Sequence, residues 1–200
     1  MQVLSETQET IRLTVEAAFL SAWSGREQMS NNKRSSRFVS ELSRIFKEKY
    51  QAIALVQETD LYGNKTSGEW LLDIMIVTKK EIFTSDKKRK TTVVDNITWA
   101  IESEFSTDLH EFFKDFTKLL YLKADAYLYI AGLNQETERS REKYIETQRE
   151  LAAKLVEEKQ IKAPFFIVFV PSPANRGGQS LWDKFTLDCL KSWICCYKLA

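Results

Sequence analysis

Histidine is nearly absent: His110 is the only one in 200 residues. It lies among acids, and no Gly-x-Ser-x-Gly elbow accompanies it, so a Ser-His-Asp hydrolase has no constellation to build on. Neither a phosphate-cradling Walker loop nor a dinucleotide fingerprint occurs. Cysteine is scarce as well. Cys189, Cys195 and Cys196 are odd in number, clustered near the C-terminus and without a second Cys or His group at zinc-ligand spacing, which implies free thiols in a reducing cytoplasm. There is no apolar run of about 18 residues. The most apolar early stretch, IRLTVEAAFLSAW, is interrupted by Arg12 and Glu16, so neither a membrane span nor a signal peptide is expected, and a cytoplasmic location is. Charge of one sign is also lacking. The chain has 29 basic and 28 acidic residues, so no global field draws it to nucleic acid or an anionic membrane, and any anion-binding surface must be local.

What is present suits one substantial core. With 44% hydrophobic and 12% aromatic residues, the reading is a single α/β domain over residues 1–200. Apolar positions at helical spacing (Ile11, Val15, Phe19) predict a helix from about Glu6 to Trp23. A polar stretch from Gly25 to Ser36 precedes a second helix marked by Phe38, Leu42, Ile45 and Phe46, ending near Tyr50. The period then changes. Ala52–Val56 and Trp70–Val77 read as two strands of a hairpin, joined through a turn segment around Gly63-Asn64 and Gly68. Within the charged segment Thr78–Asn96, Glu81-Ile82-Phe83 is able to extend a strand, and Ser85–Lys90 reads as a solvated loop. Strand character returns at Ile97–Phe105. A helix follows from Ser106 or Thr107, with Leu109, Phe112, Phe113, Phe116, Leu119 and Leu120 as its apolar stripe and a stop near Tyr121. Ala126–Ala131 is a buried strand, Gln135–Glu158 a long charged helix, and FFIVFV between Pro164 and Pro171 another strand. Trp182–Tyr197 fits a helix, a strand or one after the other. The alternation implies a mixed central sheet flanked by helices.

Ionised residues inside strands that otherwise look built for burial are the functional signal. Asp73 interrupts LLDIMIV, and a carboxylate among apolar neighbours is costly unless paired or metal-bound. In WAIESEF, the two-residue period puts Glu102 and Glu104 on one face and Ile101, Ser103 and Phe105 on the other. Carboxylates converging from neighbouring strands repel unless a divalent cation or a positive side chain neutralises them. Magnesium fits as a hard ion that prefers oxygen.

The order helix, two strands with Asp73 on the second, a strand with Glu102-x-Glu104, then a helix and a strand resembles the PD-(D/E)XK (restriction endonuclease-like) nuclease superfamily. Its α-β-β-β-α-β core maps to about 36–132, with an extra N-terminal helix and C-terminal elements. Leu72 stands where the motif has proline, and Glu104 where it has lysine. The resemblance implies that Asp73, Glu102 and the backbone carbonyl of Ser103 hold Mg2+ or Mn2+, with Glu104 binding a second ion or orienting water. The cation role falls to Lys118, in a segment DFTKLL similar to relatives whose lysine has migrated to this helix, or to Lys123; Glu41 is a further acid that could complete the site. Phosphate contacts are expected from Lys79, Lys80, Lys87, Lys88, Arg89 and Lys90, and from Arg26, Lys33, Arg34 and Arg37. The implied function is a metal-dependent DNA endonuclease of restriction or repair type, acting on double-stranded DNA and able to work as a homodimer. The alternative is an inactive nuclease-fold module that binds nucleic acid or a protein partner.

Overall fold

The computed structural model describes residues 6–24, 29–56 (31 and 32 as backbone), 72–83, 89–173 and 180–200. Helix α1 (Gln8–Trp23) starts where the Thr7 side chain accepts the Thr10 N–H, and α2 (Asn31–Tyr50) stops at Gln51 in the left-handed region. Then come β1 (Ile53–Val56), β2 (Ile74–Phe83) and β3 (Lys90–Glu104). Helix α3 (Leu109–Leu120) begins at Asp108, whose carboxylate accepts from the N–H groups of His110 and Glu111, a donor pair left open by every helix start. The chain continues through β4 (Ala126–Leu133), α4 (Glu138–Glu158), β5 (Phe165–Pro171), the short helices α5 (Leu181–Lys184) and α6 (Leu187–Lys191), and β6 (Cys195–Lys198).

The six strands form one mixed sheet in the order β1-β2-β3-β4-β5-β6. The β3/β4 and β4/β5 pairs are parallel and the other three antiparallel. Parallel neighbours need crossover helices. Successive crossovers of one hand, advancing in one direction, put both helices on the same face. Accordingly Phe112, Phe116 and Leu119 of α3 and Ala152 and Val156 of α4 pack on Ala100, Tyr129, Ile167 and their neighbours. The opposite face, with Ile74, Trp99, Ile101, Leu128 and Val168, is covered by α1, α2 and the Leu181–Ile194 region. Covered on both faces, β4 and β5 are buried throughout, which is why they read as continuous apolar runs.

Several boundaries differ from the sequence expectation. The polar stretch before Phe38 is helical from Asn31 onward, with Lys33 and Ser36 exposed and Arg34 buried against Asp183. The charged segment is not a loop at its ends: β2 and β3 pair out to Phe83 and Lys90 as an exposed ribbon beyond the sheet. With both faces in water, that ribbon carries no apolar alternation to betray it. Residues 84–88, with Lys87 and Lys88, lie outside the described residues, as do Arg26, the turn around Gly63-Asn64 and Gly68, and Trp70-Leu71. Asp73 sits in a bend just before β2 rather than within a strand. The ambiguous tail resolves into two helices and then β6, which adds antiparallel to β5. Among the described residues no helix is long and apolar enough to cross a membrane.

The end of β3 is held tightly. The Phe105 carbonyl accepts from Asn134 Nδ2 at 3.1 Å and Ser172 Oγ at 3.2 Å. A Cβ on Gly132 would stand 2.6 Å from Phe105 Cα and 2.8 Å from its carbonyl oxygen. Gly132→Ala is therefore expected to push β3 and β4 apart and lower stability by about 1–3 kcal/mol, the usual cost of overpacking a dense interior. Urea unfolding of the two proteins checks this; an unchanged midpoint would show that the strands yield freely there.

Candidate functional site

Glu102 follows Ala100 along β3 and shares its face, looking toward α3, whereas Ile101 lies in the opposite core. Because Ile74 is in register with Ile101, the residue before Ile74 falls beside the residue after Ile101. Asp73 is thereby brought to Glu102. The Asp73 N–H donates to Glu102 Oε2 at 2.9 Å, and Asp73 Oδ2 accepts from the Ser103 N–H at 3.0 Å and the Ser103 hydroxyl at 2.5 Å. From α3, Lys118 Nζ reaches Glu102 Oε1 at 2.6 Å and Asp115 Oδ1 at 2.7 Å. Glu104, two residues along, accepts the Ser106 N–H at 2.5 Å. Its carboxylate lies within 4.8 Å of those of Glu111 and Asp115, a group whose chemistry suits a hard cation.

Five carboxylates thus gather around two ammoniums, Lys118 on Glu102 and Asp115 and the exposed Lys114 on Glu111 at 2.9 Å. Glu102 is only 3% exposed and Asp115 7%, so water screens them poorly. Burial pushes the Glu102 carboxyl up to about 8, helped by the Asp73 charge and opposed by the Lys118 bond. Burial also raises Asp73, against the two Ser103 bonds and the Lys118 charge. Glu104 is pushed up to about 7, chiefly by burial; the Ser106 N–H opposes the shift and Asp115 adds to it. Burial alone would lower Lys118, but its bonds to Asp115 and Glu102 outweigh it and hold the ammonium above its ordinary value. Two lysines do not neutralise five carboxylates, so the centre either takes up protons near neutrality or accepts a cation.

The remaining expected residues divide plainly. Of the two lysines, Lys118 enters the centre while Lys123 is exposed beyond it. Glu41 does not join. It pairs with Arg44 on its own helix at 3.2 Å. Lys79, Lys80, Arg89 and Lys90 lie on or beside the ribbon, where Lys80 pairs with Asp95 at 2.5 Å and Lys90 with Glu81 at 2.9 Å. Arg34 is buried and grips Asp183 through both terminal guanidinium nitrogens at 2.9 Å, which makes it a tie between α2 and α5. Three participants were missed in the sequence: Asp115, Glu111 and the Ser103 hydroxyl. The signal for the first two was helical spacing, since Asp115 precedes Lys118 by three residues and Glu111 precedes Asp115 by four. The serine gave no signal.

The acidic centre sets a pH dependence of opposite sign to that of ordinary surface carboxylates. A carboxyl whose folded pKa is raised binds more protons in the folded state, so its stability contribution is complete below the unfolded value and is lost as pH rises through the folded one. Stability should therefore fall from about pH 5 to about pH 8, the span between the ordinary glutamate range and the Glu102 value. Glu102→Gln should flatten that fall and raise the thermal midpoint at pH 8. Thermal melts of both proteins across this range check it, and equal slopes would remove Glu102 as the cause. Comparison with protein-family models, curated proteins and solved structures finds no match for this chain.

Proposed function

We propose that this chain is a metal-dependent DNA endonuclease with a PD-(D/E)XK, restriction endonuclease-like core. The observation that carries the reading is the contact of Lys118 with the buried Glu102, with Asp73 bonded to the same glutamate. It assembles two acids and a lysine from three separate elements. The sequence α2-β1-β2-β3-α3-β4 is also the core order that the resemblance implies.

Asp73, Glu102 and the Ser103 carbonyl would hold Mg2+ or Mn2+, and their all-oxygen donors fit such an ion; when bound it lowers the pKa of water and offsets phosphate charge. Lys118 would donate to the phosphate oxygens on which negative charge develops as water adds and an ester oxygen leaves. Asp115 aims that ammonium at 2.7 Å. Glu104, pushed up to about 7, is poised to take the proton of the attacking water near neutral pH. Cutting both strands of a duplex calls for two such sites, which a homodimer would supply.

A specific observation also favours the second reading, an inactive module that binds nucleic acid or a protein partner. Both Glu102 oxygens and Asp73 Oδ2 already have protein donors, so the network is able to stand as a structural tie.

Manganese calorimetry separates the two. On the nuclease reading the folded wild type binds manganese, and Asp73→Ala and Glu102→Ala abolish binding. Lys118→Ala should keep the metal and lower the DNA cleavage rate about 10²–10³-fold, the usual loss for one charge-stabilising donor. A wild type that binds no manganese, with or without DNA present, would leave the binding module as the reading.

A further inference from the structure

On the side of the sheet away from Lys118, a cavity of about 240 Å3 opens between α2 and the β2–β3 end. Asp73 and Ser103 line one wall, and Ser35, Ser36, Val39 and Ser40 line the other. Asp73 thus belongs at once to the acidic centre and to a hydroxyl-rich groove.

The α2 wall continues into a cationic rim. Ser36 and Ser40 are exposed and four residues apart, so they stand one above the other on the helix. Lys33 and Arg37 form the adjacent row, three residues before Ser36 and Ser40 respectively. Neither makes an ion pair among the described residues, whereas Arg34, Lys80 and Lys90 all do. The resulting strip has alternating hydroxyl donors and cations, no carboxylate of its own from Lys33 to Ser40, and it leads directly to Asp73. Hydroxyls and cations in rows, at the mouth of an acidic centre, are what a chain of phosphodiesters recognises.

We propose that the DNA strand to be cut runs along the N-terminal half of α2. Ser36 and Ser40 donate to successive phosphate oxygens and Lys33 and Arg37 neutralise them. The cavity beside Asp73 receives the nucleotide next to the scissile phosphate. Lys80 and Lys90 of the ribbon have a lesser part, because they are already paired. The inference rests on the nuclease reading and names where its substrate lies. Because Asp73 repels phosphate, binding strengthens when a divalent cation is present.

The test measures fluorescence anisotropy of a short labelled DNA duplex with the full chain in calcium over a range of salt, alongside cleavage in manganese. The double variant Lys33→Ala/Arg37→Ala should weaken binding on the order of 10- to 100-fold and make the salt dependence shallower by about 1.8 in log–log slope, two phosphate contacts at roughly 0.9 each. Lys143→Ala/Lys154→Ala, exposed on α4 across the sheet, removes the same charge and should bind as wild type does. Ser36→Glu, which puts a negative charge at an exposed position on the strip, should abolish binding independently of the double variant, with circular dichroism confirming that the variant is folded. If wild type cleaves DNA but the Lys33/Arg37 variant and Ser36→Glu bind as tightly as it does, the α2 path is overturned while the nuclease reading stands. If wild type neither binds nor cleaves, both fall.

Discussion

A carboxylate cannot be sealed between a sheet and a helix without donors to hold it. Glu102 is such a carboxylate, and the arrangement around it follows from meeting that demand. Its oxygens take one backbone N–H from the bend before β2 and one ammonium from α3. Those two bonds tie β3 to the bend before β2 and to α3. The same helix face that brings Lys118 and Asp115 to β3 lies beside Phe112, Phe116 and Leu119, which fill the core. Once α3 is so placed, Asp115 and Glu111 come against Glu104. Acid gathers because one acid had to be held.

The sheet makes this possible by where it stops. β3 and β4 run parallel and in register from Trp99 to Glu104, and Glu102 and Glu104 lie at the C-terminal end of that run. In open α/β sheets this is the edge where loops diverge and ligands gain access. The clamp on the Phe105 carbonyl and the bare backbone at Gly132 hold β3 at that edge, so the carboxylates rest on a rigid strand. Preorganised charge of this kind needs no rearrangement to act on a developing negative centre.

The two basic regions differ in kind even though both looked like phosphate contacts. On the ribbon, acids at Glu81 and Asp95 interleave with the lysines and pair with them across the strands, which lends register to an exposed hairpin. On α2, Arg34 turns inward to Asp183 while Lys33 and Arg37 flank the serines. A count of charges does not distinguish these cases, because pairing depends on which strand or helix lies opposite.

Much was determined by the sequence alone. Period and apolar content marked α1, the core of α2, β4, α4 and β5, and the face shared by Glu102 and Glu104 followed from strand alternation, a property of local backbone geometry. Asp73 stood out because burial made it anomalous. Only the tertiary structure decided the rest. Lys118 met its partner because α3 buries Asp115 rather than Leu109 and β3 offers a buried carboxylate at its edge. Lys123 and Glu41, similar in type and plausible in position, found no such partner. The β2–β3 ribbon was illegible because a strand wet on both faces has no pattern of burial to read, and Asp115 acquired its role only when α3 docked. Local structure follows from the spacing of residues along the chain, but which charges meet depends on the packing of elements that the spacing does not specify.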